Sequence, residues 1–160
     1  MKTIEIKLYQ FNELSEKAKE RALEDLRYIN VDDSWWYECS IETFSEFGVV
    51  VKEFDLYRRT ISLDFKKDIT DICEKFAYEW KDNEIGETCK GYLKSVDAQL
   101  CLDASDQEML EDMEGVFIKD LEYAILNWLN DEYEYLQSDD AIIDTIEANE
   151  YDFTENGERY

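Results

Sequence analysis

Carboxylates are the residues of this chain with the most evident capacity for chemistry, and they concentrate between Asp103 and Tyr160. This stretch holds 19 Asp and Glu against two cations, Lys119 and Arg159, so it carries −17 of the net charge of −24. Carboxylates can serve as general acids or bases, bind divalent cations, or imitate the phosphates of a nucleic acid. Their neighbours and their spacing favour one of these uses.

The other residue types give catalysis little support. Histidine is absent, which removes Ser-His-Asp and Cys-His systems and histidine-based zinc sites. Cys39, Cys73, Cys89 and Cys101 form no CxxC pair, and we interpret them as reduced, partly buried thiols of a cytosolic protein. No carboxylate pair has an apolar neighbourhood that would raise one pKa. We therefore predict a protein that is not an enzyme, with no catalytic, cofactor-binding or metal-binding residues.

Residues 152–157, Asp-Phe-Thr-Glu-Asn-Gly, match the first half of a calcium loop, with oxygen ligands at alternate positions before a glycine. The sequence ends at Tyr160, before the glutamate that would close such a loop. An ordinary Asn-Gly turn explains the pattern better. Weak, unspecific binding of divalent cations by clustered carboxylates is left open.

The acids repeat at distances that place like charges one helical turn apart. Glu108–Asp112 and Asp140–Asp144 are spaced i,i+4, and Asp144–Glu147 is spaced i,i+3. Each such pair lowers the stability of the helix by roughly 0.2–0.5 kcal/mol, whereas a lysine at the same spacing from an acid would raise it by as much. Several pairs together cost roughly 1–3 kcal/mol of a marginal stability. This pattern indicates that the negative electrostatic field of this surface has a function of its own.

A folded acidic face can imitate a nucleic-acid backbone. Carboxylates on one helix face recur about every 5 Å along the axis, and phosphates of one DNA strand recur about every 3.4 Å. We therefore predict non-enzymatic binding to a basic protein that itself binds nucleic acid, through residues 103–155. The candidate contacts are Glu108, Glu111, Asp112, Glu114, Asp131, Glu132, Asp139, Asp140, Asp144 and Glu147, together with the aromatic residue Trp35.

Two other roles stay open. The acidic surface could serve solubility alone, or the protein could be a structural, assembly or adaptor protein whose Trp-rich face at Trp35 and Trp36 binds a partner. A homodimer is included in this second alternative. A nucleic-acid mimic should lose affinity steeply between about 50 and 200 mM salt, whereas an aromatic site should not. The acidic balance argues against direct contact with nucleic acid or an anionic membrane.

Hydrophobic periodicity predicts one α+β domain over residues 1–160, with a small antiparallel sheet packed against several helices and a helix-rich C-terminal half. Residues 3–9 alternate as a strand that joins a hairpin formed by residues 49–65. A first predicted helix follows Ser15, and a second is capped by Asp32 or Asp33, carries Trp35 and Phe47, and ends at Gly48. Further helices are predicted to begin near Asp68, at Gly86, at the Ser105 capping box and at Ser138. The helix from Ser105 is the longest and should bury one apolar line: Met109, Met113, Val116, Phe117, Leu121, Ala124 and Trp128.

No apolar run approaches the length of a membrane-spanning helix, and Met1–Glu5 lacks the apolar core of a signal peptide. We therefore expect no membrane contact and a cytoplasmic location.

Two stretches carry a resemblance to known proteins. Residues 11–22 fit the opening F-x-E-L-S-x-x-A-K-x-x-A, and the pair Trp35-Trp36 and the strand entry Phe47-Gly48-Val49 follow it. In these features and in the tail 146–157, the chain resembles small acidic proteins of bacteriophage and prophage genomes. That resemblance implies a phage inhibitor of a host nuclease, CRISPR complex or restriction complex, that is, an anti-CRISPR or antirestriction DNA mimic. Some members carry a Gly/Ser/Gln-rich segment that residues 54–65 lack, so no role of that segment carries over.

Overall fold

The computed structural model describes residues 5–101 and 107–160, with the backbone alone at Cys101. Chain contacts divide it into two compact units. Unit 1 comprises residues 1–36 and 132–160, and unit 2 comprises residues 37–131. The described residues form six α-helices and two antiparallel sheets of two strands each, which confirms the predicted α+β class with a helix-rich C-terminal half. That the chain is a single domain stays a prediction.

The elements follow one another in a simple order. They are β1 (Tyr9–Gln10), a 3-10 turn (Phe11–Glu13), α1 (Glu16–Asp25), α2 (Trp35–Phe47), β2 (Val49–Asp55), β3 (Thr60–Phe65), α3 (Ile69–Glu79), α4 (Glu84–Cys101), α5 (Gln107–Leu136), α6 (Asp139–Ala148) and β4 (Asp152–Phe153). In the described residues, no helix is both long enough and apolar enough to cross a membrane.

The two ends of the chain pair with each other in unit 1. Tyr9 of β1 lies opposite Phe153 of β4 in an antiparallel register. The predicted strand over residues 3–9 that would join the hairpin is therefore wrong: residues 5–8 form no strand, and residues 3 and 4 lie outside the described residues. Phe153 is fully buried and meets the Phe11 ring edge-on at 6.1 Å. Strand β4, which contains the buried Phe153, is therefore the pairing partner of β1.

Helices α1 and α6 complete the core of unit 1. Each begins as predicted, because the hydroxyls of Ser15 and Ser138 accept hydrogen bonds from the backbone N–H groups of Ala18 and Ala141, both at 3.3 Å. The buried core residues come from both ends of the chain: Phe11, Leu14, Ala18, Ala22, Ile142, Ile146 and Phe153.

The C-terminal turn passes very close to α1. Gly157 has φ +84°, and a Cβ at this position would lie 2.1 Å from the carbonyl oxygen of Ala18. Only glycine combines this positive φ with such a close approach. The predicted Asn-Gly turn is therefore confirmed, with the N–H of Gly157 donating to the carbonyl oxygen of Thr154 at 2.9 Å.

Unit 2 contains the predicted hairpin. Strands β2 and β3 pair antiparallel from Val49↔Phe65 to Asp55↔Thr60, with an irregularity between Val51 and Glu53. Helix α2 ends as predicted at Gly48, which has φ +99°. The Tyr37 ring of α2 meets Phe54 of β2 edge-on at 5.1 Å, so the helix packs on the hairpin.

Five aromatic rings form the centre of unit 2: Phe44, Phe47, Phe76, Trp80 and Trp128. Phe76 of α3 is fully buried, stacks on Phe47 at 4.3 Å, and lies 5.5 Å from Trp80. Phe44 of α2 lies 5.6 Å from Trp128 of α5. This cluster joins α2, α3 and α5 within the unit.

Helices α4 and α5 differ in part from prediction. Helix α4 begins at Glu84, two residues before Gly86. Helix α5 extends to Leu136, beyond the predicted apolar line that ends at Trp128, and the predicted capping box at Ser105 lies outside the described residues. The apolar line of α5 is only partly buried, because Met109 and Val116 are 41% and 61% exposed.

Candidate functional site

The predicted acidic contacts are divided between the two units. Nine of the ten side chains are exposed, and Glu132 is half-buried. Unit 1 holds Glu132, Asp139, Asp140, Asp144 and Glu147, and unit 2 holds Glu108, Glu111, Asp112, Glu114 and Asp131. Each set therefore forms a surface of its own unit.

Three acids of α6 line up on one face of that helix. At 3.6 residues per turn, Asp140, Asp144 and Glu147 project within about 60° of one another, about 6 and 4.5 Å apart along the axis. We call these three residues the α6 stripe. All are exposed, and none has an ion-pair partner among residues 5–101 and 107–160. Ile142 and Ile146 anchor the helix in the core of unit 1, so the stripe is a rigid negative surface.

Asp139 lies outside the α6 stripe and is neutralised by the protein itself. Its Oδ1 lies 2.6 Å from Nη1 of Arg27, which also donates to the carbonyl oxygen of Gln137 at 3.0 Å. The hydrogen bond that Arg27 donates to Asp139 is the largest cause that raises the pKa of Arg27. Of the predicted α6 contacts, Asp139 therefore contributes least to the negative field.

The first turns of α5 carry a second group of acids. Glu108, Glu111 and Asp112 project within about 100° of one another around the helix. Oε1 of Glu111 accepts a hydrogen bond from Nε2 of Gln107 at 3.0 Å. Glu114 projects toward another side, and its charge, after burial, contributes to raising the pKa of Tyr92. The α5 acids thus face several directions, whereas the α6 stripe faces one.

The two adjacent tryptophans differ in burial. Trp36 is half-buried, and its ring lies 5.3 Å from that of Tyr133 in unit 1. Trp35 is 73% exposed, and its backbone N–H donates to Oδ1 of Asp33 at 2.9 Å. An exposed indole on an ordered helix start is a plausible anchor for a partner.

A groove between α4 and α5 in unit 2 was not predicted from the sequence. It has a volume of about 630 Å³. Tyr92 of α4 stacks on Phe117 of α5 at 4.3 Å, and Glu84 accepts hydrogen bonds from Nδ2 of Asn127 at 3.1 and 3.2 Å. These two contacts require the helices to run antiparallel. The groove is lined by Glu84, Thr88, Gly91, Tyr92, Ser95, Met109, Asp112, Met113, Val116, Phe117, Asp120 and Tyr123.

One sequence signal could have indicated this groove. Thr88, Gly91 and Ser95 place small side chains along one face of α4 at helical spacing. A Cβ at Gly91 would meet no atom within 4 Å, so the neighbouring helix does not fill this face. The apolar pattern assigned Met109 and Val116 of α5 to the core, but both are exposed and line the groove.

Arg59 contacts the middle of α5. It occupies the left-handed region at φ 56°, in the turn between β2 and β3. Its guanidinium donates to Oδ1 of Asn127 and lies 5.6 Å from the centre of the Tyr123 ring. A chain of contacts therefore links the hairpin turn through Asn127 to Glu84 of α4.

The described cysteines show no activating surroundings. Cys73 and Cys89 are fully buried, whereas Cys39 is exposed. The hydrogen bond to Cys89, followed by burial, raises the pKa of the Cys73 thiol far above its ordinary value. This thiol therefore stays protonated and unreactive. Nowhere in residues 5–101 and 107–160 do three or more acids or thiols cluster closely enough to hold a metal ion.

Alkylation of the native protein should distinguish these thiols. At pH 8, iodoacetamide is expected to modify Cys39 at least about 100-fold faster than Cys73 or Cys89, because reaction requires an accessible thiolate. Peptide mass spectrometry over time would measure the three rates separately, with the denatured protein as the control in which the rates converge. Equal rates in the native protein would contradict the burial of Cys73 and Cys89.

Comparison of the chain with protein-family models, with curated proteins and with solved structures found no match.

Proposed function

We propose that this protein is a non-enzymatic inhibitor that binds a basic, nucleic-acid-binding surface of another protein by imitating the nucleic-acid backbone. The observation that carries the proposal is the number of exposed acids left without neutralisation. Seven exposed acids among the predicted contacts form no ion pair within the described ranges: Glu111, Asp112, Glu114, Asp131, Asp140, Asp144 and Glu147.

The α6 stripe is the part of this surface whose acids face one direction. Its three carboxylates are held by a helix that is capped at Ser138 and anchored by Ile142 and Ile146. A basic groove that accepts phosphates would gain the same charge-assisted contacts from these carboxylates. Because the helix is already folded, little conformational entropy is lost on binding.

The class of target follows from the charge and from the resemblance of residues 11–22 to phage proteins. A surface that binds nucleic acid displays clustered Lys and Arg, and a host defence nuclease, CRISPR complex or restriction complex carries such a surface. Occupation of that surface would exclude the nucleic acid, so binding and inhibition are the same event. We expect this to take place in the cytoplasm of the bacterial host.

Capture followed by displacement tests the proposal. The immobilised protein should retain a basic protein from bacterial lysate at about 50 mM salt, and double-stranded DNA should release it. The captured protein, once purified, should lose DNA binding when this chain is added in excess. Capture of a protein whose DNA binding is unaffected by the added chain would count against mimicry.

Trp35 supports a second candidate function, that of an adaptor bound through an aromatic anchor. Its 73% exposure leaves most of the indole available to a partner. If Trp35→Ala reduces capture at least about 10-fold and about 500 mM salt does not, the adaptor role is favoured over mimicry.

A further inference from the structure

We propose that the groove between α4 and α5 is a second binding site, which takes a cationic amphipathic helix of a partner protein. This goes beyond backbone mimicry, because the groove combines an apolar floor with an acidic rim. The α6 stripe belongs to unit 1, whereas the groove lies in unit 2. The two surfaces can therefore be tested separately.

The floor of the groove exposes apolar groups that water solvates poorly. Met109 and Val116 are 41% and 61% exposed, and Tyr123 is 59% exposed. Met113 and Phe117 continue the same surface along α5. Methionine adapts its shape to different apolar partners, which suits a surface that receives the side chains of another chain. Burial of these groups would favour binding at roughly 25 cal/mol per Å² of apolar area before the costs of association.

The charge of the rim defines the occupant. Glu84, Asp112 and Asp120 line the groove, and no Lys or Arg is among the described residues of its lining. Neither Asp112 nor Asp120 has an ion-pair partner in residues 5–101 and 107–160. Arg59 contacts Tyr123 but does not line the groove. An occupant with Lys or Arg beside its apolar residues would complement both features.

The length of the groove fits a short helix. The lining spans residues 84–95 on α4 and 109–123 on α5, which correspond to about 16 and 21 Å of helix axis. A helix of about 14 residues would cover this distance. Apolar side chains spaced i, i+3, i+4 and i+7 would point into the groove while the flanking cations meet Asp112 and Asp120.

A second copy of this chain is a poor occupant. Each copy carries a net charge of −24, so the copies repel one another. An anionic lipid surface is disfavoured for the same reason. The groove therefore fits a cationic segment of a different protein.

A designed peptide tests the proposal directly. The probe is a peptide of about 14 residues, built from Leu, Lys and Ala with its leucines on one helical face and a fluorescent label at one end. A shuffled peptide of the same composition, with no apolar face, controls for attraction by net charge alone. At about 150 mM salt, we expect the amphipathic peptide to bind with micromolar affinity and the shuffled peptide at least about 10-fold more weakly. Circular dichroism should show the bound peptide gaining helix.

Two glycine substitutions supply a matched pair of variants. A Cβ at Gly91 or at Gly115 would meet no atom within 4 Å, so leucine should be accommodated at both, but only Gly91 lines the groove. Gly91→Leu should weaken peptide binding at least about 10-fold, and Gly115→Leu should leave it within about 2-fold. Both variants should fold, because replacing an exposed helical glycine generally favours the helix.

Charge variants separate this site from the α6 stripe. Asp112→Asn with Asp120→Asn should weaken peptide binding by about 3- to 10-fold, while neutralising the α6 stripe should leave it within about 2-fold. The proposal is overturned if the shuffled peptide binds equally well, if the peptide gains no helix, or if Gly91→Leu and Gly115→Leu bind it alike. None of those results would affect DNA displacement through the α6 stripe.

Discussion

Replacing Phe76 with alanine is expected to lower the free energy of unfolding by about 3–5 kcal/mol, the range for a large aromatic residue removed from a packed core. Phe76 is fully buried and contacts rings from α2 and from the end of its own helix. Its removal would leave a cavity where α2 meets α3. The neighbouring rings of α2 and of Trp80 can close that cavity only in part.

Tyr78 provides the matched control for this substitution. It lies on the same helix, α3, but is 84% exposed. Tyr78→Ala should change the free energy of unfolding by no more than about 0.5 kcal/mol. Urea denaturation followed by tryptophan fluorescence measures both values, and similar losses for the two variants would contradict the placement of Phe76 at the centre of unit 2.

Reversing the α6 stripe is expected to weaken binding to the captured basic protein by about 100-fold. The change is Asp140→Lys, Asp144→Lys and Glu147→Lys, which turns three attractions into three repulsions. Each reversal at a partly exposed contact contributes roughly 0.5–2 kcal/mol, so three together correspond to about two orders of magnitude. Titration calorimetry at about 50 mM salt would measure the loss.

A reversal on α3 controls for net charge. Asp71, Glu74 and Glu79 are exposed acids with no ion-pair partner among the described residues. Changing these three to lysine also moves the net charge from −24 to −18, since each reversal adds two. Both triples include one first-turn acid, Asp71 or Asp140, so the helix-dipole cost is matched. We expect the α3 variant to keep its affinity within about 3-fold; equal losses would mean that net charge alone drives binding.

Local signals predicted the helices well. Ser15 and Ser138 mark helix starts because their hydroxyls accept backbone hydrogen bonds there, and Gly48 marks an end because it adopts φ +99°. Ile72 and Phe76 lie four residues apart on one face of α3, and both are fully buried. These features depend on residues close together in sequence, where pattern and structure are directly related.

Features that depend on distant residues were not predictable. The pairing of Tyr9 with Phe153 joins opposite ends of the chain, and two-residue strands carry almost no alternation to detect. The groove depends on how closely α5 approaches the small residues of α4. A pattern that marks Met109 and Val116 as apolar cannot show whether a neighbour covers them. For the acids, spacing predicted the alignment of Asp140 with Asp144, but not the neutralisation of Asp139 by Arg27.

The dependence of affinity on salt tests the central claim most directly. For the captured basic protein, the dissociation constant should be measured between about 50 and 200 mM salt with the native chain, the α6 variant and the α3 variant. We predict that the affinity of the native chain falls at least about 10-fold over this range. The slope of log affinity against log salt concentration should become shallower for the α6 variant. The α3 variant should keep the native slope. A native affinity that is the same at both salt concentrations would contradict binding through the carboxylates.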